Sequence, residues 1–313
     1  MLDSIGSTYA NFTAGMVAPR LTGSCFWLHC AAAVLFTFGF TLTIRKGAWK
    51  AKGLDRIIAF GPLFFAAPLA VFGMQHFSAL NIVVDGVPSW MPWHLFWVCL
   101  VGIALIAASL SIITGVKAEL AVLLVGIMLF LFVLLIYVPN TVRNPGDRFA
   151  VALMFRDLSL SGGALALAGT LAGGRWDGAH WIAVLGRHFF AIPMAFFGVE
   201  HFLHPDFAPG VPLEQMMPPW MPGHMFWAYL TGAVLVISSL SMLLNRREHY
   251  WGARFWATAL GVLFLVLVLF IYMPMEIVHP SIEISGELDY VADTLAMSGA
   301  ALLVAGALKR KTA

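Results

Sequence analysis

FAAPLAVFGMQHF, from Phe65 to Phe77, returns as FAIPMAFFGVEHF from Phe190 to Phe202, with eight of the thirteen positions identical. Further along, WMPWHLFW at Trp90 to Trp97 returns as WMPGHMFW at Trp220 to Trp227, and IYVP at Ile136 to Pro139 returns as IYMP at Ile271 to Pro274. Asp157 is echoed by Asp293. The order of these matches is what compositional bias cannot produce, and their spacing widens only between motifs, where loops absorb extra residues. The sequence therefore reads as a tandem copy of one unit.

Each unit holds four long apolar runs, and one more precedes the pair. Nine runs appear, near Ser24 to Ile44, Ile57 to Leu80, His94 to Thr114, Leu120 to Val138, Val151 to Ala172, Trp181 to Leu203, Met221 to Leu244, Phe255 to Met275 and Tyr290 to Leu308. A bilayer core takes about 20 apolar residues per helix. In lipid only helices and closed barrels satisfy every backbone group, and these runs are too long for barrel strands. The expected fold is an all-α polytopic membrane protein with nine transmembrane helices: one N-terminal helix and two parallel-repeat four-helix bundles. Residues 1–53 form the N-terminal tail, first helix and a basic loop, 54–172 the first repeat, 173–180 a linker, and 181–313 the second repeat with a basic tail. Four spans per unit is an even number, so both units enter the membrane with the same polarity.

Composition agrees. Of 313 residues, 60% are hydrophobic and 11% charged, with a mean hydropathy of +0.87, which leaves too little polar surface for a water-soluble domain. A net charge of +2, scattered over short loops, offers no basic track for nucleic acid. The lipid bilayer is the expected partner. Fourteen of the 18 Lys and Arg residues fall on one side: Arg45, Lys46, Lys50, Lys52, Arg56, Lys117, Arg175, Arg187, Arg246, Arg247, Arg254, Lys309, Arg310 and Lys311. By the positive-inside rule this side is cytoplasmic, so the N-terminus lies outside and the C-terminus inside, as in a bacterial inner membrane. The first run is long enough to span and reads as a retained helix, since no basic start of a secretory signal precedes it. Cys25, Cys30 and Cys99 form no vicinal dithiol pattern.

The polar residues that remain gather at the outer ends of the spans. Gln75, His76, His94, Tyr137, Arg156 and Asp157 in the first unit, and Glu200, His201, His224, Tyr272 and Asp293 in the second, are the candidates for handling a ligand or protons. An ionisable group at membrane depth is costly unless paired or wetted, so it marks a bundle interior. For Asp157 the competing reading is a structural ion pair with Arg156. Pro68 and Pro193 predict kinks two turns before His76 and His201, and Gly73 and Gly198 admit a close neighbour, either around a cavity or as a packing notch. Pro92 and Pro222 suit a first helical turn, which puts His94 and His224 at helix N-termini. The tryptophans read as an interfacial belt.

Histidines with carboxylates raise a metal reading, with His76, His94 and Asp157 as one set and Glu200, His201, His224 and Asp293 as another. Met216, Met217, Met221 and Met225 lie beside His224. No nucleophile arrangement marks a hydrolase, and no catalytic residue is assigned.

The G-x-x-H-F, W-M-P-x-H and I-Y-x-P motifs of each unit resemble the DoxX-like membrane proteins over about Leu54 to Leu308. The resemblance implies a four-helix unit, a membrane location, and redox or small-molecule handling at the outer face, because relatives of that kind are associated with thiosulfate:quinone oxidoreduction. Quinone or a transition metal are then the candidate cofactors, with a membrane or periplasmic protein as a candidate partner. Three functions follow: a redox-associated or ligand-binding subunit, a non-enzymatic assembly or partner-binding module, and a small-solute transporter.

Overall fold

The computed structural model describes residues 23–175, 177–206, 222–244, 252–278 and 287–308. The described residues are 87% helical with no strand, and among them nine helices are long and apolar enough to cross a membrane. The chain is an all-α polytopic membrane protein. The helices are α1 (Gly23–Arg45), α2 (Gly61–Ser78), α3 (His94–Thr114), α4 (Ala118–Phe132), α5 (Arg148–Ala172), α6 (Ala179–Leu203), α7 (His224–Leu243), α8 (Ala253–Leu267) and α9 (Glu287–Ala307). A short turn at Leu54–Ile58 leads into α2.

The runs that the sequence closes at Val138 and Met275, at the I-Y-x-P motifs, continue past them. Beyond α4 the chain winds through a π turn at Val133–Tyr137 and continues helically as Val138–Arg143. Beyond α8 it repeats this with a π turn at Val268–Tyr272 followed by Met273–Val278. The prolines sit where the missing N–H matters least: Pro139 and Pro274 are each the second residue of the new helical segment.

In lipid, helices gain little from burying apolar surface against one another, so close packing of small side chains selects the contacts. That explains the centre of this bundle. The apolar stretches of α5 and α9 are 67% and 72% buried, against 11% for α1, and both helices are rich in Gly and Ala. α5 packs on α4, α6 and α9, while α9 packs on α8, α2 and α5. α5 therefore leans on α4 and α6, and α9 on α8 and α2. α1 stands apart, seated on α2 and α3.

The close approaches recur at matched positions. A Cβ on Gly162 would stand 2.5 Å from the Phe190 amide nitrogen, and one on Gly299 would stand 2.2 Å from that of Phe65. Ser161 Oγ donates to the Gly126 carbonyl at 2.7 Å, and Ser298 Oγ to the Gly261 carbonyl at 2.7 Å. Gly73 meets Gly102 between α2 and α3, as Gly198 meets Gly232 between α6 and α7. Between α5 and α9 the register is set by Gly163 against Ala300, where an added Cβ would stand 2.5 Å from the alanine methyl.

These contacts correct one sequence match. LSLSGGALALAG (Leu158 to Gly169) aligns with LAMSGAALLVAG (Leu295 to Gly306), which makes Ser161 the counterpart of Ser298 and Arg156, not Asp157, the counterpart of Asp293. Asp157 corresponds to Thr294.

One end of the bundle is tied by basic residues. Lys46 Nζ donates to the carbonyls of Ile113 at 2.9 Å and Thr114 at 3.1 Å, Arg175 pairs with Glu119, and Arg254 pairs with Asp55. The helix ends bearing Gln75, His76, His94, Glu200, His201 and His224 lie at the opposite end. Trp176, Trp220, Met216, Met217, Met221, His279 and the basic residues from Lys309 onward fall outside the described residues.

Candidate functional site

The sequence of α5 puts Arg156 and Asp157 side by side about two and a half turns from the start of the helix. Arg156 is the residue that joins the halves. Its Nε donates to Asp157 Oδ1 at 3.0 Å, with Nη2 2.9 Å from the same oxygen, and its Nη1 donates to Asp293 Oδ2 on α9 at 3.1 Å. Asp157 and Asp293 are only 3% and 2% exposed. The Tyr137 hydroxyl, carried on the π turn after α4, faces Asp157. Asp289, one turn before Asp293 and also buried, is close enough to act electrostatically on both Arg156 and Asp293. Tyr272, on the π turn after α8, is buried and stacks on Tyr290 with ring centroids 6.0 Å apart.

So five sequence candidates come together or nearly so: Arg156, Asp157, Asp293, Tyr137 and, in the second unit, Tyr272 against α9. A pair of carboxylates around one guanidinium can fix a seam, hold an exchangeable proton, or receive a hydrogen-bonding ligand. The structural ion pair between Arg156 and Asp157 is present, but it extends across to the other unit.

The histidines stand elsewhere. His76 Nδ1 donates to the Phe72 carbonyl at 2.7 Å, and His201 Nδ1 to the Phe197 carbonyl at 2.6 Å, each within its own helix. Their Cβ atoms lie against Gly102 and Gly232, so the glycines of this region form packing notches between neighbouring helices. His201 is buried, and among the described residues neither its Nε2 nor the Nε2 of buried Gln75 has a hydrogen-bond partner. Glu200, the counterpart of Gln75, accepts from Arg148 at 3.1 Å and lies 3.7 Å from His204.

His94 and His224 do begin their helices, but the preceding prolines lie outside them. Trp93 and Gly223 are the N-caps, both with left-handed backbone at φ 58° and 73°. The carbonyls of Pro92 and Pro222 accept from the indole N–H of Trp97 at 3.0 Å and of Trp227 at 3.1 Å. The W-M-P-x-H-x-x-W pattern is thus a helix-start fastener, and two of its tryptophans have a job beyond the aromatic belt.

Neither metal set converges. Among the described residues no three His, Cys, Asp or Glu side chains are placed to share an ion, and this covers both His76, His94 and Asp157 and Glu200, His201, His224 and Asp293. The physical reason is that His76 and His201 are turned into the α2–α3 and α6–α7 crossings, while Asp157 is held by Arg156 and Tyr137 and Asp293 by Arg156.

Three participants escaped the sequence reading. Arg148, Asp289 and Thr294 contribute charge or a buried hydroxyl beside the candidates. His29 of α1 pairs with Glu276 beyond α8, a contact between segments 247 residues apart. The alignment of Leu158 to Gly169 with Leu295 to Gly306 was the available signal for Thr294. Comparison of the chain with protein-family models, curated proteins and solved structures finds no match in any of the three.

Proposed function

We propose that the chain is a DoxX-like membrane subunit, a tandem duplication of a four-helix unit preceded by one helix, that binds a small redox ligand or carries protons at the Arg156, Asp157, Asp293 and Tyr137 cluster. The reading is carried by one observation: two buried carboxylates share a single guanidinium. A buried excess of negative charge is stable only when a proton, a cation or donor groups of a ligand balance it. The cluster therefore has the make-up of an exchangeable-proton site, and the head of a quinone is the ligand class whose carbonyls would take both an Arg donor and a proton. The matched contacts across the halves support duplication, and the asymmetry of Lys and Arg supports an N-terminus outside a bacterial inner membrane, with the cluster near the outer face.

Mass analysis of protein extracted in mild detergent tests this. Wild type retaining a quinone that Asp293→Asn loses is the expected result; an empty wild type overturns the reading. That result would favour an assembly or partner-binding module, for which the specific support is that both ends of the Arg156 guanidinium are already held by protein carboxylates.

A further inference from the structure

Two kinds of contact between residues 54–172 and 181–313 differ in how they repeat. Those made by small residues occur twice, as Gly162 on Phe190 and Gly299 on Phe65. Those made by charges do not repeat with the same signs. Arg156 pairs with Asp293, Arg148 with Glu200, and Asp55 with Arg254. At the matched positions the charge is lost or reversed: Glu200 corresponds to Gln75, Arg254 to Glu119, and Arg156 to Asp293 itself.

The last correspondence is the informative one. Gly163 meets its own counterpart Ala300 between α5 and α9, and two turns along the same helices Arg156 meets its own counterpart Asp293. Matched residues facing one another are what a twofold seam produces. Two copies of the first half in this geometry would put guanidinium against guanidinium, and two copies of the second half carboxylate against carboxylate. From this we infer that the seam carries a pairing code, in which shared small-residue shape would let a half seat on its like and the buried Arg156–Asp293 pair selects the unlike half as partner. The desolvated pair does this better than the exposed one at Asp55 and Arg254, because a like charge at a buried position is both repelled and left without a partner. The inference stands on the contacts alone and holds with or without a ligand at the cluster.

Charge reversal in the full chain tests it. D293R recreates Arg opposite Arg, and R156D recreates Asp opposite Asp. Each is expected to lower the thermal midpoint in detergent by about 5 °C or more, with R156D the worse because Asp157 and Asp289 remain beside it. The swap R156D/D293R is expected to recover about half of the larger loss or more. Should the reversals fail to fold, R156Q, D293N and R156Q/D293N give the same answer, with the double variant more stable than the two losses combined predict. Single reversals without effect, a swap no better than R156D, or an additive neutral cycle would each overturn the code.

Discussion

Gly162 of α5 and Phe190 of α6 touch backbone to backbone, with room for a hydrogen and nothing larger. A methyl there would stand 2.5 Å from the phenylalanine amide nitrogen, and no rotamer change relieves a clash with backbone. Gly162→Ala and Gly299→Ala are each expected to destabilise the bundle by about 2 kcal/mol or more, because overpacking forces helices apart. Gly126→Ala is the control. Its methyl would meet the Leu165 side chain at 2.8 Å, which can shift, so its thermal midpoint in detergent should fall less.

Asp157 and Asp293 share one cation, so their loss should be more than additive. Asp157→Asn or Asp293→Asn leaves Arg156 one paired carboxylate, whereas the double variant leaves a largely enclosed guanidinium with no carboxylate paired to it and only Asp289 nearby. Removing the last partner of a buried charge costs about 3–5 kcal/mol, and that step is expected only in the double variant. A double-mutant cycle of unfolding in detergent measures it, and simple additivity would refute the sharing.

Ser161 and Ser298 make the same buried hydrogen bond to a neighbouring helix carbonyl, both at 2.7 Å. Ser161→Ala and Ser298→Ala should therefore destabilise alike, by about 0.5–1.5 kcal/mol each. Markedly unequal losses in the same thermal assay would show that the matched geometry does not bring matched energetics.

Trp93 holds a left-handed backbone that its counterpart Gly223 adopts without strain, and the residue is 78% exposed. Trp93→Gly is expected to stabilise the α3 start by about 1 kcal/mol. A fall in the thermal midpoint would mean that the indole anchors more than the backbone loses.

The spans were legible because lipid demands long apolar runs; His94–Thr114 is even bounded by the residues the sequence named. Arg156, Asp157 and Asp293 stood out for the same reason, since ionisable residues in such runs are conspicuous. Depth along a helix can be read from sequence, but rotation about its axis cannot be read when every face is apolar. His76 and His201 share their end with the aspartates yet point into glycine notches, and only packing decides that. The π turns were hidden too, because IYVP and IYMP look like helix ends when proline is taken as a stop. The pairing of Asp157 with Asp293 in the sequence slipped by one residue, since identity of type was followed where the Ser-Gly contacts keep the register.

α1 rests against α2 and α3, and among the described residues no helix takes the same seat on α6 and α7. The molecule thus has two unlike flanks within the plane of the bilayer, one thickened by an extra helix and one showing Trp181, Ile192, Val199 and Leu230 directly to its surroundings. A neighbour diffusing in that plane meets a different shape on each side. The helix α1 therefore gives the described bundle a sense of left and right.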